Sequence, residues 1–276
     1  MMASIKAEAL RLRKWPTMWI LVGVWLALNL TFAYLFNYLA YRSGESENGV
    51  PPQILLQRML PGAVPETFTQ GMAMFGGALM LILGALATGS GYGWGTWKTV
   101  FTQGRSRIEV LAGTIVAVFV VVVGVVLSAF VLDLGVAAII ATSADASTTL
   151  PTLSQALAGI GTGIAILGMW TLFGVLIGVV ARGPALAVGL GLVWVLVVEN
   201  LLRGVGALLG PVEAVTDWLP GTAAGSLAGA MRSGPGDAVP GVLDTLTRPE
   251  SLVALAVYVA VMIGATLLIV RRRDLV

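Results

Sequence analysis

The sequence predicts an all-α polytopic membrane protein that crosses the bilayer six times. The 276 residues are 57% hydrophobic and only 11% charged, with a mean hydropathy of +0.92; a soluble domain carries about 25% charged residues. Several apolar runs reach the roughly 20 residues needed to cross a hydrocarbon core of about 30 Å. Eleven of the sixteen Lys and Arg residues fall on one side of the resulting map. Lys6, Arg11, Arg13 and Lys14 precede the first span, and Lys98, Arg105 and Arg107 lie between the second and third. Arg182 separates the fourth and fifth, and Arg271, Arg272 and Arg273 follow the sixth. Basic residues near span ends stay on the cytoplasmic side, so both termini are expected to face the cytoplasm. The charge fraction leaves little for a soluble domain, and residues 1–276 are expected to form a single membrane domain.

Residues 3–15 form a basic segment ending at Trp15-Pro16. On a helical wheel Ile5, Ala9, Leu12 and Trp15 share one side, with Lys6, Arg11, Arg13 and Lys14 around the rest and Leu10 out of pattern. Such a helix suits the membrane interface, its apolar face down and its basic groups toward anionic lipid. Pro16 then turns the chain into the bilayer. Span 1 is expected near Met18–Phe36; it is too long for a signal-peptide core and no small-x-small cleavage site follows, so it is read as retained. The outer loop carries Glu45, Glu47 and Glu66, with a short amphipathic stretch around Ile54–Leu60. Span 2 is expected near Gly71–Thr88, and span 3 from Leu111 to Ile140, which is long enough to tilt or project. Span 4 covers Ala156–Val180 and span 5 Pro184–Val198. The Gly- and Pro-rich stretch 199–250, with Glu213, Asp217, Asp237 and Asp244, is expected to form short helices that dip into the outer leaflet without crossing. Span 6 follows at Leu252–Val270. Gly159/Gly163 and Gly174/Gly178 are GxxxG pairs that would allow close helix contact in span 4.

The chain has no Cys and no His. Disulfides, thiol chemistry and thiolate or His metal sites are therefore excluded, and the residue most used for acid–base work near neutral pH is missing. No metal site and no catalytic residue is expected. The three lysines follow Ile5, Arg13 and Trp97, so no lysine stands after the glycine that a P-loop requires. Basic loops explained by topology give no support for nucleic-acid binding. Asp133 is the one clear acidic residue inside an apolar run. Intramembrane carboxylates are candidates for substrate or ion handling, but a helix from Leu111 rises about 33 Å before reaching it. Asp133 is thus expected near the outer interface, hydrated at little cost. Glu199, at the outer end of span 5, is a weaker candidate.

The segment 91–107 between spans 2 and 3 carries the most information. Its glycines loosen the end of span 2, Thr96 is placed to cap a short helix over Trp97–Gln103, and Gly104 stops it. Arg105 and Arg107 hold the far side at the cytoplasmic surface. Trp97, Val100 and Phe101 share a face. Two readings fit: an aromatic knob with basic flanks that docks into a groove on a partner, or an interfacial aromatic belt.

The whole chain resembles a permease subunit of the ATP-binding-cassette type-2 family. The shared features are the six spans, the basic segment before span 1, the segment after span 2 and the outer segment before span 6. The likeness extends to Gly95-Thr96, Ser106-Arg107, Gly113 and the ending Arg272-Arg273-Asp274-Leu275. The chain departs from the family pattern at Gly104 in place of proline, at Thr114 in place of lysine, and at Gly91 or Tyr92 in place of an acidic residue. The resemblance implies that residues 3–15 are an elbow helix, with Ile5, Leu12 and Trp15 on its apolar side. It makes 91–107 a coupling segment, with Thr96, Trp97, Lys98, Val100, Phe101, Arg105 and Arg107 transmitting motion, and 199–250 a re-entrant outer segment. It further implies a dimer with a second permease copy or a paralogue, a separate ABC ATPase subunit that holds ATP and Mg, and the plasma membrane of a bacterium.

The expected function is therefore the membrane pathway of an ATP-driven exporter, with no nucleotide site or enzymatic activity of its own. Spans lined with Val, Leu, Ala and Gly favour a hydrophobic or amphipathic cargo. The main alternative is an ion-gradient-driven transporter or channel using Asp133. A membrane enzyme lacks the necessary residues, and a non-transporting anchor for an ATPase differs only in carrying no flux.

Overall fold

The computed structural model describes residues 2–44, 50–102, 106–206, 208–232 and 239–272. Glu45, Glu47, Gln103, Gly104, Arg105, Asp237, Arg273, Asp274 and Leu275, which entered the expectations above, lie outside the described residues. All elements of the described chain are helices, and five are long and apolar enough to cross a membrane. In chain order the helices are α1 (Met2–Lys14), α2 (Pro16–Ser43), α3 (Pro52–Arg58), α4 (Val64–Gly71) and α5 (Gly77–Gly93). Then come α6 (Thr96–Thr102), α7 (Arg107–Ser143), α8 (Leu153–Ala181) and α9 (Pro184–Gly206). The last three are α10 (Gly210–Thr216), α11 (Pro220–Gly229) and α12 (Arg248–Arg272).

Local chemistry sets the helix ends. Pro16 sits in the first turn of α2, where a missing N–H does no harm, and Gly44 ends α2 at φ 74°. The Ser106 side chain caps α7 by accepting from the Glu109 N–H at 3.1 Å. Thr152 and Gln155 form a reciprocal capping box on α8. Arg182 closes that helix at φ 53°, and Gly183-Pro184 opens α9. Most helices run past their expected limits because their first and last turns are polar. Span 5 overruns furthest at a single end: its helix continues through Glu199 to Gly206, into what the sequence suggested was outer segment.

Span 2 is built differently from its expectation. Its apolar helix α5 has 17 residues and begins six positions later than expected. It is joined without a break to α4 through a π turn at Met72–Gly76, so residues 64–93 form one continuous helical rod. Two further π turns, Thr31–Leu35 in α2 and Trp194–Val198 in α9, widen those helices by one residue. Each loosens carbonyls that an asparagine then takes up. Asn37 Nδ2 donates to the carbonyls of Phe32 and Ala33 at 3.2 and 2.9 Å. Asn200 Nδ2 donates to those of Val195 and Leu196 at 3.3 and 3.0 Å.

Helix α8 is the most buried of the long helices and packs on α5, α7, α9 and α12. Its contact with α5 is the most extensive between helices of the described chain. A Cβ on Gly174 would fall on the Leu81 carbonyl oxygen, one on Gly84 on the Thr171 carbonyl oxygen, and one on Gly178 on Thr88 Oγ1. Gly159 and Gly163 of α8 lie against Pro65, Phe68 and Met72. Both expected GxxxG pairs thus meet the 64–93 rod, as small residues do where helix backbones approach closely.

Helix α1 lies across α7, with Ser4 against the bare Cα of Gly113. Its inward face comprises Ser4, Ile5, Glu8, Arg11, Leu12 and Trp15. Ile5, Leu12 and Trp15 are on this face as the wheel suggested. Ala9 is exposed, and Arg11, expected to point at lipid headgroups, turns inward. Its Nε donates to Glu8 Oε2 at 2.9 Å and one terminal nitrogen to the Ala87 carbonyl at 2.8 Å. The ion pair one turn away and the carbonyl at the lower end of α5 together outweigh exposure to water.

Candidate functional site

The short helix α6 lies between the end of α5 and the start of α7. Gly95, at φ 67°, turns the chain, and its carbonyl accepts from Lys98 N at 3.1 Å. Gly95 therefore takes the capping position that the sequence suggested for Thr96, which is instead the first helical residue. Only a glycine takes this left-handed turn without strain.

Trp97 is oriented differently from the exposed knob that its spacing suggested. It is 6% exposed, and its Nε1 donates to the Thr88 carbonyl at 3.0 Å. The indole occupies the space over Gly91, where a Cβ would collide with it, and it stacks on Phe101 with centroids 5.4 Å apart. Burying an aromatic ring while satisfying its N–H is favoured over leaving it exposed. Thr96, Lys98, Thr99 and Thr102 are exposed, and Val100, Phe101 and Arg107 are half-buried. The face that α6 offers outward is therefore polar and basic, and its aromatic face is an anchor.

That anchor continues into the core. Thr88 Oγ1 donates to the Gly84 carbonyl at 3.0 Å and, across the helix contact, to the Val175 carbonyl of α8 at 3.2 Å. The neighbouring Ala87 carbonyl receives Arg11. Each carbonyl has a second lone pair beyond its helical bond, and the bare Gly91 leaves room to reach it. Trp15 meets Trp94 edge-on at 6.4 Å, and the Arg11 guanidinium sits 5.8 Å over the Trp15 ring. The lower end of α5 thus ties α1, α6 and α8 together. Sequence reasoning missed Thr88, Arg11 and Glu8; the i, i+3 spacing of Glu8 and Arg11 was the available signal.

Asp133 is fully buried, so the expectation that its side chain is hydrated fails. Its Oδ1 accepts from Asn29 Nδ2 of α2 at 2.7 Å. It faces inward because Phe130, one turn earlier on the same side, packs on Phe68 at 5.5 Å and turns this face of α7 into the core.

Glu199 is also buried, more so than its place at the expected end of span 5 suggested. Its Oε1 accepts from Trp194 Nε1 at 3.0 Å and from the Gly221 N–H at 3.1 Å. The π turn between Trp194 and Glu199 brings the two side chains onto one face. Gly221 belongs to the first turn of α11, whose unpaired N–H groups favour a negative charge. Glu199→Ala is expected to free α11 at a cost of about 1.5–3 kcal/mol, the range for hydrogen bonds to a charged group. Hydrogen exchange would then quicken at 220–229 and stay unchanged in α5; no change at 220–229 would refute the anchoring role.

Among the described residues no group of three or more His, Cys, Asp or Glu is placed to hold a metal ion. The long apolar helices define a multi-pass membrane protein. Residues 4–198 match the family model described as ABC-2 family transporter protein. The chain belongs to the ABC-2 transporter family and is a membrane subunit of an ABC transporter. No curated protein matches the sequence.

Proposed function

We propose that this chain is the permease of an ATP-driven exporter. In this reading it crosses the membrane six times, through α2, the 64–93 rod, α7, α8, α9 and α12, as one permease domain with both termini in the cytoplasm of a bacterium. Helix α1 is the interfacial elbow, and α10 and α11 are the re-entrant outer segment. Two copies, or one copy with a paralogue, line the pathway. Separate ATPase subunits carry the ATP and Mg. Family membership supports the ATPase partner, and the basic residues around α1, α6 and the end of α12 support the orientation.

The observation that carries the coupling assignment is the Trp97 anchor. A helix that receives force needs an outer face for the partner and a stiff link to the spans. Thr96, Lys98 and the exposed edge of Val100 and Phe101 supply the face, with Arg107 at its far side; Arg105, the remaining basic residue assigned to this segment, lies outside the described residues. The Trp97–Thr88 bond and the Thr88–Val175 bond supply the link. ATP shifts the access equilibrium only through its different affinity for the two states, and α6 is the element through which that difference reaches α5 and α8. The apolar spans favour a hydrophobic or amphipathic cargo.

The test is purification of the detergent-solubilised chain from its own host, with ATPase activity assayed on the eluate. A stoichiometric P-loop partner supports the exporter. A chain that elutes alone, and whose flux in vesicles needs no nucleotide, moves the reading to a gradient-driven transporter centred on Asp133.

A further inference from the structure

The core contains an unsatisfied polar cluster that the coupling machinery does not use. Trp25, Asn29, Tyr34 and Asp133 are each no more than 3% exposed. Asp133 Oδ2, Asn29 Oδ1, the Tyr34 hydroxyl and Trp25 Nε1 all lack a hydrogen-bond partner. Buried polar atoms are nearly always paired, so several orphans in one place call for an explanation. No Lys or Arg among the described residues faces Asp133, whose one polar partner is Asn29.

The fold assembles this cluster deliberately. Trp25 and Asn29 are one turn apart on the inner face of α2. Five residues on, Tyr34 would sit roughly 140° away on a regular helix. The π turn at Thr31–Leu35 returns it to that face. The second π turn, Met72–Gly76, starts next to Gly71, where a Cβ would lie 2.9 Å from Asn29 Oδ1 and 3.6 Å from the Trp25 ring. Phe32 and Phe75 join the two π turns at 4.9 Å. The Tyr34 hydroxyl is within electrostatic reach of Asp133. π turns inside helices concentrate at functional sites.

We propose that Asp133, Asn29 and Tyr34 form the binding site for the ammonium head of a lipophilic primary amine, the transported molecule. Three buried oxygens without a donor match the three N–H donors of a primary ammonium, and its charge offsets the carboxylate. The Trp25 ring adds an aromatic surface of the kind that favours cations. Helix α2 presents Phe32, Leu35, Phe36 and Leu39 outward, so hydrocarbon lies about one helix diameter, roughly 10 Å, from the site. An alkyl tail would leave by that side. This inference rests on the transporter reading for the direction of movement, and binding itself can be tested without it.

The test uses the full chain with its ATPase partner in nanodiscs. The probes are octylammonium, octyltrimethylammonium and octanol, and binding is followed by the quenching of tryptophan fluorescence. Octylammonium is expected to bind saturably and octanol not. Octyltrimethylammonium, with the charge but no N–H, is expected to bind more weakly. Asp133→Asn should weaken octylammonium on the order of tenfold or more, as expected for loss of a charge-assisted hydrogen bond. Tyr34→Phe, which keeps the ring and the packing, should weaken it about threefold. Unchanged affinity in both variants overturns the site. Equal binding of the two cations overturns the three-acceptor match, and displacement of octylammonium by sodium alone makes it an alkali-cation site. A complex that hydrolyses ATP but binds no amine keeps the transporter and refutes this inference. A chain that binds the amine but recruits no ATPase does the reverse.

Discussion

Gly174→Leu is expected to separate α8 from α5 and to abolish the folded permease. The obstacle is backbone: a Cβ at residue 174 would fall on the Leu81 carbonyl oxygen, and the Ala85 nitrogen lies 2.8 Å away. A flexible side chain could swing aside, but a helix carbonyl cannot move without shifting its whole helix. The loss should therefore exceed the about 1–3 kcal/mol typical of overpacking. Gly84→Leu, which meets the Thr171 carbonyl from the other side, should fail in the same way. Gly161→Leu is the control, because it lies on the same helix with open space around it and should be tolerated. Size-exclusion profiles and thermal denaturation of detergent-solubilised protein give the readout. A Gly174→Leu protein as stable as the Gly161→Leu protein would show that the α5–α8 contact is not the centre of the fold.

That contact was half legible in the sequence. The pairs at Gly159/Gly163 and Gly174/Gly178 stood out in α8, but their partner did not. The partner's own signal is Gly77, Gly84 and Gly91, seven residues apart and so on one face of a helix. Against that face lie Trp170, the Thr171 backbone and Trp97 respectively. Long spans were legible because apolar length decides them, whereas their ends were not, because caps such as Ser106 and Thr152 lie outside the apolar runs. The π turns at 31–35 and 194–198 left a trace in Asn37 and Asn200, polar residues inside apolar stretches that bind the loosened carbonyls.

The polar contacts were the hardest to foresee, and for one reason. Asp133, Glu199 and Arg11 each find partners far along the chain: Asn29, Gly221 and Ala87. Helical rise places a residue at a height but does not say which neighbour covers it. Distance from Leu111 therefore suggested a hydrated Asp133, while packing between α2 and α7 buries it. At 91–107 the residue types were informative and the orientation was not: spacing put Trp97 and Phe101 together, but only the bare Gly91 decides that the indole points inward.

Trp97→Ala, alone or with Phe101→Ala, is expected to leave the permease inserted and to uncouple it from ATP hydrolysis. Insertion should survive because each spanning helix satisfies its own backbone and α6 is a seven-residue element outside the α5–α8 contact. Coupling should fail because the substitution removes the indole stacked on Phe101, the Nε1–Thr88 bond and the filling over Gly91 together. Helix α6 could then shift on its partner without moving α5. Coupling free energies between sites are about 1–3 kcal/mol, so transport-stimulated hydrolysis should fall on the order of tenfold, with basal hydrolysis by the partner little changed. Trp97→Phe separates the two parts of the anchor: it keeps a ring over Gly91 and loses the hydrogen bond, and should lie between wild type and alanine. Thr88→Val, which removes the side-chain bonds to the Gly84 and Val175 carbonyls, should weaken coupling less than Trp97→Ala while the Thr88 carbonyl still holds the indole. Full stimulated activity in the Trp97→Ala, Phe101→Ala double variant would mean that force enters the spans elsewhere. The Arg11 bond to the Ala87 carbonyl would then be the next link to cut, since it joins the same end of α5 from the other side.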